Sequence, residues 1–220
     1  MTYGFSKKGL LMANKLTVWA KKQLPPTIVT VIPVGVAVNL AIGTLVQIIK
    51  LPIFLDSIGT VIISVLGGPV PGILTAVITV LLGGLLTNPV LPWFICTAIA
   101  IGWFTGFCAN HGAFKRIWMW GLCGILMGAI AGVTSAPVIT YLFGGITQSG
   151  SSLVVAFLMA TGKTVLNSVL LAGIACDPID KLLTFLIAWT LIKGLPKGLR
   201  AHFPKGLANT ERTTANPKLN

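Results

Sequence analysis

The sequence predicts an all-α membrane protein: a six-span transmembrane helical bundle with both termini cytoplasmic and an outer re-entrant or lid segment. Three observations lead there. Of the 220 residues, 55% are hydrophobic and only 9% are charged, with a mean hydropathy of +0.92. A soluble chain carries about 25% charged residues, so this one cannot cover a water-facing surface. Its apolar runs are long and continuous rather than alternating, which selects helices over a barrel. The length accommodates about six helices of roughly 20 residues each.

The order of elements follows from the apolar runs and their interruptions. Residues 1–26 form a basic segment with Lys7, Lys8, Lys15, Lys21 and Lys22. Phe5, Leu10, Leu11, Leu16 and Trp19 among the lysines fit either a short interfacial helix or a disordered tail. The transmembrane domain covers 27–197. Its first span is expected over Thr27–Ile49, and a short second span ends near Leu66. Gly67, Gly68, Pro69 and Pro71 mark a tight turn into a third span, Gly72–Leu86. A loop with two prolines, Thr87–Pro92, leads to a fourth span ending near Ala109. A basic loop, Asn110–Arg116, precedes a fifth span, Ile117–Phe143, bent around Pro137. A Gly/Ser-rich loop follows. Leu153–Ala175 is long enough to cross, but Gly162, Lys163 and Asn167 interrupt it, so it reads as a lid or partly embedded segment, or alternatively as a true span. The last span is expected over Lys181–Leu195, and 198–220 as a basic, disordered cytoplasmic tail.

The cations settle the expected orientation. The net charge is +12, and the lysines and arginines gather before the first span, at Lys115 and Arg116, and after the last span. Positive segments stay on the cytoplasmic side. The outer face then carries Lys50, Lys163 and Lys181 against Asp56, Asp177 and Asp180. The location implied is a bacterial cytoplasmic (inner) membrane, multi-pass, with the lipid bilayer as the first partner. The cations flank spans and form no separate basic domain, so no nucleic-acid partner is expected.

Chemistry is limited by what is scarce. Asp56, Asp177, Asp180 and Glu211 are the only acidic residues, too few for carboxylate-rich metal catalysis. Cys96, Cys108, Cys123 and Cys176 have no CxxC spacing, and His111 and His202 have no metal-ligand spacing. Gly162-Lys163-Thr164 resembles the end of a phosphate loop, but Phe157 stands where the first glycine belongs. The chain is expected to be no enzyme and to have no intrinsic cofactor. A hydrolase using Cys96 as nucleophile lacks a visible base. The lack of an internal repeat disfavours a self-sufficient permease, which stays as the alternative.

Several residues suit binding. Asp56 begins the second span and is either a pocket anchor or a helix N-cap. Asn88, Trp93, Phe94 and Cys96 cluster at one end of the third and fourth spans, as pocket residues or as an interfacial belt. Ala37 and Ala41, four apart, give the first span a slim face for another helix.

The segment Leu51–Thr60 (LPIFLDSIGT), then Gly67-Gly68-Pro69, and Asp177-Pro-Ile-Asp-Lys181 followed by Leu195-Pro196-Lys197 together resemble the S-components of energy-coupling-factor vitamin importers. The resemblance covers about 27–197. It implies an outward pocket for a vitamin, with energy from a separate membrane scaffold subunit and its cytosolic ATPases. Ala37 and Ala41 would be the scaffold-docking face. Cys96 is similar in placement to an axial cobalt ligand of cobalamin-binding members. Cobalamin is therefore the first expected ligand, with Cys96 as a soft ligand to its cobalt, and another vitamin or precursor the alternative. Asp56, Asn88, Trp93 and Lys163 are the other pocket candidates.

Overall fold

The computed structural model describes residues 23–147 and 149–211. The expectations for residues 1–22 and 212–220 lie outside them. Among the described residues the chain is helical, with no strand.

Helix α1 (Pro26–Val29) leads into α2 (Ile32–Ile49). An irregular stretch, 50–57, descends to the short α3 (Ile58–Gly67). Gly68, at φ +98°, turns the chain into α4 (Pro69–Leu86), where a side chain would be strained. A 3₁₀ turn (Leu91–Phe94) opens α5 (Ile95–Asn110). A second one (Ala113–Lys115) precedes α6 (Ile117–Pro137), which passes Pro137 into a π turn, Val138–Leu142. Then come α7 (Ser151–Ala160), α8 (Val165–Gly194), α9 (Lys197–Ala201) and α10 (Gly206–Thr210).

Four helical stretches are long and apolar enough to cross a membrane: Pro26–Ile49, Pro69–Leu86, Leu91–Asn110 and Trp118–Leu142. The surface agrees with a lipid-facing role. Leu85, Trp118, Ile174, Ile48 and Leu86 are largely exposed, while Asn39, Thr60, Ser64, Thr75 and Thr105 are buried. Water would reverse that arrangement; a bilayer tolerates it, because inward hydroxyls find partners within the bundle. Thr75, Thr79 and Thr105 each donate to the carbonyl four residues back.

The centre belongs to α3. All of its ten residues but Ile62 are buried. It touches α2, α4, α5 and α8. Ten residues rise only about 15 Å, half of what a crossing needs. Half of the bundle axis is thus filled by α3 and half is not. Close approach to α2 requires glycine on both sides. A Cβ on Gly59 would collide with the carbonyl of Gly35. Alanine normally stabilises a helix by about 1 kcal/mol relative to glycine. Here the sign is expected to reverse: Gly59→Ala costs about 1–3 kcal/mol by overpacking, measurable as a lower thermal midpoint in detergent.

Two sequence expectations are corrected. The last helix was expected at Lys181–Leu195, beginning where charge interrupts the apolar run. The structure carries a single helix through Val165–Gly194, about 45 Å long. Asp177, Asp180 and Lys181 are buried in its middle rather than set in an outer loop. Their i, i+3, i+4 spacing puts them on one helical face, so they turn inward together and the helix continues. Pro178 in the interior is accommodated against Gly128 of α6, where a Cβ would meet the proline backbone at 2.5 Å. The stretch Leu153–Ala175 accordingly divides between α7 and the start of α8, two helices packed together as a hairpin.

The tail expected from residue 198 is folded as far as Glu211. Arg200 is buried and donates to Thr210 Oγ1 at 3.0 Å, with Glu211 3.5 Å from its other terminal nitrogen. Lys193 Nζ donates to the Thr210 carbonyl at 2.7 Å. Asn209 Nδ2 donates to the Val65 carbonyl, and the Lys205 N–H to the Leu66 carbonyl. These bonds close the C-terminal end of α3. Lys205 also reaches Asn110 at the end of α5. Ile28 packs on Gly67 there too. The chain entry at α1, the loop 110–116 and the segment 195–211 therefore gather at one end of the bundle.

Candidate functional site

The other half of the axis holds a cavity of about 170 Å³. It exists because α3 stops at Ile58, leaving space ringed by α2, α4, α5, α6 and α8 and roofed by Gly145, Thr147 and residues 149–152. That volume is close to the 150 Å³ of an engineered cavity that takes up benzene, and below the roughly 300–1,000 Å³ of clefts for drug-sized ligands.

Its floor is the N-terminal end of α3, whose free N–H groups lack a local cap. No side chain of Ser57 or its neighbours bonds to them. Asn39 of α2 supplies the cap from another helix. Its Oδ1 accepts the N–H of Gly59 at 2.7 Å and that of Thr60 at 3.4 Å. Its Nδ2 donates to Thr60 Oγ1 at 2.9 Å and Thr79 Oγ1 at 3.0 Å. Asn39 is buried, and its amide has both acceptor and donor capacity in use.

One wall is charged. Asp180 is fully buried. Its Oδ1 accepts the N–H groups of Phe54 and Leu55 at 2.9 and 2.7 Å. Leu55 has φ +48°, a conformation that costs a non-glycine residue about 1–3 kcal/mol unless its surroundings impose it; those two bonds hold it there. Asp180 Oδ2 accepts from Lys181 Nζ at 2.6 Å. The same ammonium donates to Ser57 Oγ at 3.3 Å and lies 3.6 Å from Asp56 Oδ1, to which Ser57 donates at 2.8 Å. Lys181 thus donates two hydrogen bonds, to Asp180 and Ser57, and faces the Asp56 carboxylate with its remaining N–H at ion-pair range. The short irregular stretch before α3 is thus pinned to α8 by a network of charge-assisted bonds.

Asp177 differs. It lines the cavity and is 8% exposed. Among the described residues it has neither a hydrogen-bond nor an ion-pair partner. Gly132 of α6 and Gly173 of α8 border it: a Cβ on either would fall 2.9 or 3.3 Å from its Oδ2. Their missing side chains leave the carboxylate bare. Thr97, also on the cavity wall, has a buried hydroxyl with no partner among the described residues.

The residues singled out in the sequence divide by position. Asp56 and Asn88 line the cavity. Asp56 is partly exposed, and Asn88 is buried with its Oδ1 accepting the Val90 N–H. Cys96 and Trp93 are exposed and are not among the lining residues. Lys163 is exposed in the turn between α7 and α8, also away from the cavity. Ala37 and Ala41 are exposed on the outer face of α2, opposite buried Gly35 and Asn39 and beside exposed Val34 and Leu45. No group of three or more His, Cys, Asp or Glu suited to a metal ion occurs among the described residues.

Sequence reasoning missed Asn39, Asp177, Asp180 and Lys181 as site residues. The signal for the last three was present: three of the few ionisable residues in a charge-poor chain stand at helical spacing. Asn39 offered none beyond being an amide in an apolar run. No protein-family description, curated protein sequence or solved structure matches this chain.

Proposed function

We propose that the chain is the substrate-binding membrane subunit of an energy-coupling-factor-type importer in a bacterial cytoplasmic membrane. In this reading α2, α3 with the stretch before it, α4, α5, α6 and α8 make six crossings, and the α7–α8 hairpin stands over the pocket. The end bearing Lys115, Arg116, Lys197 and Arg200 faces the cytoplasm by the positive-inside rule. The cavity then opens toward the outside. The observation that supports the reading best is the cavity itself: a small, partly polar hollow in the half of the bundle opposite the basic end. A mostly apolar pocket between helices with a few polar groups, and buried ionisable groups in a membrane bundle, is the usual mark of a substrate site.

Energy comes from elsewhere, through a scaffold subunit and its ATPases. The exposed Ala37–Ala41 face of α2 is the proposed contact, since small residues four apart let a partner helix approach closely. Of the two ligand classes left open by the sequence, the cavity favours the smaller vitamin or precursor. Cobalamin held through Cys96 would sit outside the cavity, on an exposed thiol.

The experiment is uptake in cells that supply scaffold and ATPases, with mass spectrometry of whatever co-purifies with the detergent-extracted protein. Ala37→Leu combined with Ala41→Leu is expected to cut energised uptake by about tenfold or more, as bulk separates the helices, while ligand capture by the purified chain is unchanged. Transport in proteoliposomes holding this chain alone would instead make it a self-sufficient permease. A co-purifying corrinoid lost in Cys96→Ala would return cobalamin as the ligand.

A further inference from the structure

The chain carries twelve excess positive charges, yet its cavity gathers more carboxyl groups than amines. Asp56, Asp177 and Lys181 line it, and Asp180 lies directly behind. Three carboxylates and one ammonium leave a formal charge of −2 at the site. The ammonium is already committed to Asp180, Ser57 and Asp56. Asp180 is committed to Lys181 and to two backbone N–H groups. Asp177 alone among them is without a partner among the described residues. A carboxylate more than nine-tenths buried costs several kcal/mol if left uncompensated. Glycines at 132 and 173 hold open the space from which compensation would come.

We propose that the ligand is a small organic cation whose positive group sits against Asp177, with Asp56 at the rim adding to the field. This rests on the reading of the cavity as the substrate site. Two further features fix the class. Much of the remaining wall is apolar, with Leu40, Val80, Ile101, Ile139 and Val169 suited to a carbon skeleton, interspersed with neutral hydroxyl and amide groups such as Thr97. No metal-holding group of side chains is present among the described residues. The volume admits about one heteroaromatic ring or a short branched amine. An anionic ligand would meet the bare carboxylate at close range and is excluded by like charge. Lys181 is paired with Asp180 and lies 3.6 Å from Asp56, so two carboxylates shield its charge from an anion.

A reporter thiol tests the charge without knowledge of the ligand. Ser135 lines the cavity one turn beyond Gly132. Ser135→Cys is made in the full chain, with Cys96, Cys108, Cys123 and Cys176 replaced by alanine, and reconstituted in proteoliposomes. Two probes of similar size are compared: 2-(trimethylammonium)ethyl and 2-sulfonatoethyl methanethiosulfonate. Each rate is divided by that reagent's rate with a small free thiol. The cationic probe is expected to react about tenfold or more faster, the lower end of what a focused field produces. Asp177→Asn, nearly the same shape, is expected to reduce that preference several-fold. Equal rates, or preference for the sulfonate, overturn the cation assignment and leave the pocket standing. A preference unmoved by Asp177→Asn overturns the role of Asp177. Failure of both probes to reach the thiol overturns the pocket reading and this inference with it.

Discussion

Asp180→Ala is expected to lower the stability of the detergent-solubilised protein by about 3–5 kcal/mol, the usual cost of stranding one member of a buried ion pair. The residue does three things at once. It neutralises Lys181, which is 3% exposed and has its other contacts in Ser57 and the more distant Asp56. It accepts two backbone N–H groups, from Phe54 and Leu55. It holds Leu55 in the left-handed region. Alanine removes all three. The thermal midpoint, followed by the fraction remaining monodisperse, reads the loss. Asp180→Ala with Lys181→Met is expected to recover part of it, because the stranded ammonium goes too, although the two N–H groups stay unpaired. Asp180→Asn is expected to fall between, keeping an acceptor but not the charge. A midpoint unchanged in Asp180→Ala would mean that the stretch before α3 is not tied to α8.

The second large effect belongs to Asn39→Ala, expected at roughly 3–4 kcal/mol. Losing a helix cap costs about 1 kcal/mol, and each buried donor left without an acceptor about 1–3. The Gly59 N–H is the clearest such donor. Thr60 and Thr79 lose the donor that their hydroxyls accept. The cap comes from a residue 20 positions away, so the substitution also loosens α2 from α3 beside the cavity. Hydrogen exchange should show the first turn of α3 losing protection before the rest of the bundle. Uniform protection in the variant would contradict the capping role.

How much of this was legible in the sequence depended on the kind of force involved. Apolar runs and the Gly68-Pro69 turn placed α2, α4, α5 and α6 within a few residues, because lipid-facing helices are specified by composition along the chain. The last helix was cut short because charge was taken as an end signal. The energetics that keep Asp180 and Lys181 inside a helix lie in partners more than 120 positions away, Phe54, Leu55 and Ser57. Asp56 was found because it stands beside a span start. Asn39 was missed because its value depends on where α3 ends in space. The folding of 197–210 was missed because a basic segment reads as solvated, whereas Arg200 is buried and finds its partners, Thr210 and Glu211, within that same segment.

The short central helix is finished by strangers. Its first turn is completed from position 39, and its last carbonyls by positions 205 and 209, the latter 144 residues downstream. In a chain made from its N-terminus, the bonds that finish α3 can form only after position 209 has been synthesised, a delay that makes late synthesis the step at which assembly partners or quality control would most readily intervene.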